Sequence, residues 1–194
     1  MNRTDQNSTP VRFLEGPSVY LRQVEPEEAE LYQQTLFDPE VRRLTGTQRT
    51  FTQGQIRTYL EAKGEDSSSL LLWIALKDSD KPIGDIALQD IDRNNRSANI
   101  RIAIGGSEHK GKGYGSEALC LLLDYGFGIL NLHRIELNVY SFNSHAQHVY
   151  EKLGFVREGV QRDALFYDHE YHDSILMSIL EDDYRRLYNN KSTE

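Results

Sequence analysis

A single cysteine, Cys120, stands in a chain of 194 residues, which excludes an intramolecular disulfide. It lies inside an apolar run, where a buried structural thiol is the expected role. Long hydrophobic runs are missing too: the longest, Leu70 to Leu76, is too short to cross a bilayer as a helix. The N-terminal MNRTDQNSTPVR has no apolar core of the secretory kind. The cytoplasm is therefore the expected location, with no membrane partner. An excess of positive charge is absent as well. Lys and Arg number 22 against 30 Asp and Glu, a formal net charge of −8, so nucleic acid is not an expected partner. No internal repeat and no dividing linker is visible. The expected organisation is a polar arm over 1–16, one domain over 17–188 and a tail over 189–194.

What is present is ordinary globular material, 38% hydrophobic and 27% charged, enough to bury one core. Val19 and Leu21 alternate with polar neighbours as a first strand. Pro26 opens a helix with Glu27, Glu28 and Glu30 in its first turn and Ala29, Tyr32 and Leu36 at helical spacing. Asp38-Pro39 starts a second helix, and Thr52 with Gln55 forms a capping box ahead of Ile56, Tyr59 and Leu60. Three strand patterns follow at 70–76, 83–91 and 98–104, separated by polar turns, which predicts an antiparallel meander. In the third, Ile100, Ile102 and Ile104 share one face, and Asn99, Arg101 and Ala103 the other.

The stripe Ala118, Leu119, Leu122, Leu123, Tyr125 and Ile129 predicts a helix packed on a sheet. Ile135, Leu137 and Val139 alternate as a strand. Asn143 or Ser144 caps a helix whose inner face is Ala146, Val149, Tyr150 and Leu153, and Gly154 ends it. Closing strands at 160–167 and 171–180 and a short helix at 181–188 complete an α+β order with helices on the sheet faces. Glu27-Glu28 and Glu181-Asp182-Asp183 read as solvated faces. The histidine pairs 145/148 and 169/172 lack a completing ligand cluster, so no metal is expected.

The stretch HKGKGYGSEA, residues 109–118, places glycines and lysines at a helix start. Successive backbone amides there can form a nest for an anion. GSEHKGK approaches a P-loop, but Gly113 stands where Ser or Thr must ligate magnesium. The dinucleotide fingerprint fails because Ser116 occupies the place of the third glycine. The pyrophosphate of coenzyme A is the remaining candidate. A second stretch, NSHAQHVYEKLGF at 143–155, follows one strand later.

Together these stretches resemble the GCN5-related N-acetyltransferase (GNAT) family. Its acetyl-CoA motif falls on Lys110, Gly113 and Gly115, and its second motif on Asn143, Ala146, Tyr150, Lys152, Gly154 and Phe155. Within the family the chain is most similar to the branch acetylating ribosomal-protein N-termini and to its spermidine-acetylating relatives. The resemblance implies a mixed, mostly antiparallel sheet of about seven strands, with acetyl-CoA as co-substrate and Tyr150 as general acid to its thiolate. It further implies cofactor contacts at Ile102, Ala103 and Ile104 beside a strand splayed at Gly105-Gly106, around Lys110, Gly111, Lys112, Gly113, Tyr114, Gly115 and Ser116, and at Asn143. Homodimers are common in such a family.

Three positions depart from its pattern: Lys110 replaces Gln or Arg, Asn99 stands where relatives often carry Glu, and His169 replaces a turn glycine. No general base is singled out. An α-amino group, with a pKa near 8, needs less help than a lysine or polyamine nitrogen near 10. A peptide N-terminal amine is therefore the expected acceptor. Polyamine or aminoglycoside acetylation, or a non-catalytic acyl-CoA-binding module, are the alternatives.

Overall fold

The computed structural model describes residues 10–188; the residues numbered 1–9 and 189–194, in the expected arm and tail, lie outside them. An eight-stranded sheet runs in the order β1-β2-β3-β4-β5-β6-β8-β7. Its strands are β1 (Leu14–Glu15), β2 (Val19–Gln23), β3 (Leu70–Leu76), β4 (Pro82–Asp92), β5 (Ser97–Ile104), β6 (Arg134–Tyr140), β7 (Val156–Tyr167) and β8 (Glu170–Leu180). The extra strand beyond the expected seven is β1. Leu14 and Glu15 pair with Leu21 and Tyr20, so the expected polar arm becomes sheet before residue 16. Every strand pair is antiparallel except β5 with β6.

Alternation sorts the strand side chains onto two covered faces. Leu72 and Ile74 of β3, with Ile86, Leu88 and Ile100, meet Leu119, Leu122 and Leu123 of α4 (Tyr114–Gly128). Leu71 and Trp73, with Ala87, face α1 (Ala29–Leu36) and α3 (Gln53–Glu65) through Ala29, Tyr32, Ile56 and Leu60. This two-sided burial explains why LLLWIAL is a continuous apolar run. Between α1 and α3 sits α2 (Pro39–Thr45), with Asp38 capping two amides and Val41 buried. The capping box of Thr52 and Gln55 forms at the start of α3. On the α4 side lie α5 (Ser144–Lys152) and α6 (Glu181–Tyr188), where Tyr184 stacks on Phe127 at 4.9 Å.

The first expected helix is split: Pro26–Glu28 form a 3₁₀ turn before α1 begins at Ala29. Glu28, the last residue of that turn, is partly buried rather than a solvated residue. Its carboxylate accepts from Arg22 at 2.6 and 2.9 Å and from the Trp73 indole at 2.9 Å. Glu181 is likewise committed, to Arg96 and Arg185. Among the described residues no helix is long and apolar enough to cross a membrane.

Candidate active site

The parallel contact between β5 and β6 is brief. Ser97, Ala98 and Asn99 pair with Arg134, Ile135 and Glu136, and the register then ends. Beyond Asn99 the strands part, although β5 continues to Ile104 and stays bonded to β4 on its other edge. The expected splay at Gly105-Gly106 thus begins earlier, at Ile100. An unpaired strand edge exposes backbone donors and acceptors ready to bond an extended ligand. Here that edge lies inside the protein.

A cleft of about 1420 Å³ occupies the splay, more than one small molecule needs. Both faces of β5 contribute. Ile100, Ile102 and Ile104 line it with Tyr114, Leu119 and Tyr150 on the α4 side; Arg101 and Ala103 line it with Asp85, Tyr32 and Tyr59 on the α1/α3 side. The cleft therefore passes through the sheet, and two ligands can approach the splay from opposite faces.

At its α4 end, Gly111 and Gly113 have φ of +70° and +84°, a region where side chains with Cβ are strained. A Cβ on either would meet no protein atom within 4 Å, so these glycines serve backbone shape and open space. Gly115 is bare for another reason: a Cβ there would stand 3.3 Å from the Ile104 side chain. Gly113 caps α4 without any side-chain cap, leaving the first-turn amides without intrahelical partners. The acid of that turn, Glu117, is engaged elsewhere, accepting from the amides of Ser18 at 2.7 Å and Val19 at 2.9 Å. The helix start, with its partial positive charge, is thus not neutralised by its own carboxylate.

Tyr150 is 9% exposed. Burial pushes its phenol up to about 12, so it stays protonated through the physiological range. Its ring packs by Phe155 at 5.8 Å. Its hydroxyl bonds nothing among the described residues and is not sealed from the cleft. Between the two capping candidates the structure selects Asn143, whose oxygen accepts from the Ala146 amide at 3.2 Å; its amide nitrogen remains open at the cleft wall.

All the expected site residues line this cleft except Lys112, which is exposed outside it. Side chains two positions apart in this turn, at 110 and 112, need not share a direction. Lys110 lines the cleft, but its ammonium is ion-paired with Glu40 of α2. Asn99 does not line it, because it sits in the closed part of the β5–β6 pairing. Exposed His145 and His148 reach the cleft from α5, on the α4 side. Among the described residues no cluster of His, Cys, Asp or Glu could hold a metal.

The α1/α3 side holds a group that the sequence reading missed. Arg101 donates through Nη2 to Asp85 at 2.5 Å and to the Tyr32 hydroxyl at 3.0 Å. Asp85 is 4% exposed, so it needs this counter-charge. Burial, reinforced by Asp85, raises the Tyr32 phenol well above its ordinary value, which excludes it as a base. Glu136 is held by Arg134 at 2.9 Å. The two carboxylates that line the cleft among the described residues are both paired, Asp85 with Arg101 and Glu40 with Lys110. Asp85→Ala strands the Arg101 cation, and breaking a fully buried pair costs about 3–5 kcal/mol. Because the Arg101 side chain is 30% exposed, we expect a loss of about 2 kcal/mol in denaturant melts. An Asp85→Leu/Arg101→Met double variant should recover most of it.

Comparison with known proteins points the same way. Residues 18–156 match the acetyltransferase (GNAT) domain family. The chain is 42% identical over 102 residues to spermidine N(1)-acetyltransferase of Vibrio cholerae, covering 53% of this chain and 58% of that protein. The matched segment thus spans little more than half of that relative's length. It is 34% identical to the uncharacterized N-acetyltransferase p20 of Bacillus licheniformis, over 74% of this chain and 82% of that one. The crystal structure of the Vibrio cholerae spermidine N-acetyltransferase, in complex with CoA and spermine, superposes with a TM-score of 0.80 at 28% identity, over 86% of this chain and 97% of that one. With its mixed sheet, its uncapped glycine turn and these matches, the chain belongs to the GNAT acetyltransferase family.

Proposed function

We propose that the protein transfers the acetyl group of acetyl-CoA to a primary amine, and that the acceptor is a polyamine. One observation carries the transfer itself: a single cleft joins the uncapped glycine turn, the free edge of β5 and the protonated Tyr150. The amides of residues 111–116 would hold the diphosphate, and the β5 edge the pantetheine arm. The amine nitrogen, entering from the α1/α3 side, attacks the thioester carbonyl carbon. The C–S bond breaks, Tyr150 gives its proton to the departing thiolate, the acylated nitrogen loses its proton to solvent, and solvent returns one to the Tyr150 phenolate.

Two features support a polyamine. The 42% identical segment belongs to a spermidine acetyltransferase. The acceptor side of the cleft also offers the aromatic faces of Tyr32, Tyr59 and Phe51, which suit an extended cation. A peptide N-terminal amine is the second reading. Arg101 favours it, since its Nε and Nη1 bond no group among the described residues and could donate to a peptide carbonyl.

Thiol release from acetyl-CoA against spermidine, a free peptide N-terminus and an aminoglycoside tests both. Spermidine should give a kcat/KM at least about tenfold above the others. A faster peptide would reverse the choice of acceptor, and cofactor binding without release for any amine would refute transfer.

Because both carboxylates that line the cleft among the described residues are ion-paired, rate should track the acceptor's own ionisation. For spermidine, kcat/KM should rise about tenfold per pH unit up to the amine pKa near 10. A plateau starting near pH 6.5, whatever the acceptor, would instead reveal a histidine base.

A further inference from the structure

Lys110 directly precedes Gly111, at the turn where the diphosphate would sit, yet its ammonium is committed across the cleft to Glu40 in the first turn of α2. The nearby charges do not share in this contact. Lys81 and His109 both reach Glu108, at 3.9 and 3.2 Å. The Lys110 and Glu40 side chains are 34% and 55% exposed, and pairs of that kind are worth about 0–1 kcal/mol. It is a contact that a better partner on either side can displace. A diphosphate is such a partner for Lys110. An ammonium is such a partner for Glu40.

We propose that Glu40 is a specificity-determining residue that takes either Lys110 or a second ammonium of the acceptor, and so couples acceptor binding to cofactor binding. In the free protein Glu40 competes with the cofactor for Lys110 and weakens cofactor binding. A cationic acceptor on Glu40 releases Lys110 to the diphosphate, and by linkage the cofactor strengthens acceptor binding by the same factor. An acceptor with one amine and no second positive charge cannot do this. Glu40 thereby separates polyamines from simple amines without lying at the reacting carbon. The inference rests on the acetyl-CoA and polyamine reading above.

Calorimetric titration with CoA, which cannot turn over, tests it with and without saturating spermidine. Wild type should bind CoA about three- to tenfold more tightly when spermidine is present. Glu40→Gln should bind CoA that tightly without spermidine and show no further gain. In Lys110→Met, CoA should bind more weakly, and adding Glu40→Gln should change nothing. The coupling is overturned if Glu40→Gln leaves CoA affinity at the wild-type value, if spermidine helps both proteins equally, or if spermidine does not help wild type. Failure of wild type to bind CoA at all would strike the acetyltransferase reading instead, so the two failures are distinguishable.

Discussion

Replacing Tyr150 with Phe should lower kcat by about 10²- to 10³-fold while leaving the Kd for acetyl-CoA within about twofold. The range is that of a positioned general acid. The substitution removes one oxygen and keeps the ring against Phe155. Because that hydroxyl bonds no protein group among the described residues, its loss leaves no partner stranded. Thermal stability should therefore stay level or rise slightly. This pairing of a large kinetic loss with intact folding separates an acid from a core aromatic. A core role predicts destabilisation and little change in kcat; equal losses in kcat and cofactor affinity would also contradict the assignment. The burial that holds the phenol at about 12 further predicts that Tyr150 itself produces no activity change below about pH 10. Any break seen between pH 6 and 9 must come from another group.

Gly113→Val should weaken CoA binding about 100-fold. Two effects act together there. The backbone at φ +84° is one a β-branched residue adopts only with strain, so the amides either side of it lose their alignment. The added methyls would also occupy space that no protein atom touches, where the diphosphate is expected to approach. Losing one or two charge-assisted hydrogen bonds, at about 1.5–3 kcal/mol each, gives a factor of that size. Calorimetric titration of CoA reads it directly. Gly113→Ala, with less strain and less bulk, should lose less. An unchanged Kd for the valine variant would remove the turn from the binding site.

The parts of the site that could be read in the sequence are those built from neighbouring residues. A left-handed glycine before an uncapped helix, and an asparagine cap with a tyrosine seven residues later, leave local patterns that need no partner. The element order was readable for the same reason, since period and capping chemistry act within one segment. The two-residue β1 was not, because Leu14 and Glu15 become a strand only through pairing with Leu21 and Tyr20. The Arg101–Asp85–Tyr32 group joins residues 16 and 69 positions apart, and only strand register and helix docking bring them together. A signal was present: a charged residue inside each of two mostly apolar strands, IGDIAL and ANIRIAI, marks groups that must find partners or a cleft. The end of the β5–β6 pairing at Asn99 was not legible either, because alternation within one strand does not tell where its neighbour leaves it. Lys110 read as a phosphate ligand, while its tie to Glu40 depends on where α2 docks.

The most direct test is a crystal structure with bound CoA. The diphosphate should lie within hydrogen-bonding distance of the amides of residues 111–116, the pantetheine along Ile102 to Ile104, and the sulfur beside the Tyr150 hydroxyl. A diphosphate bound away from that turn, or a sulfur out of reach of Tyr150, would contradict a cleft built to bring thioester and amine together where β5 and β6 part.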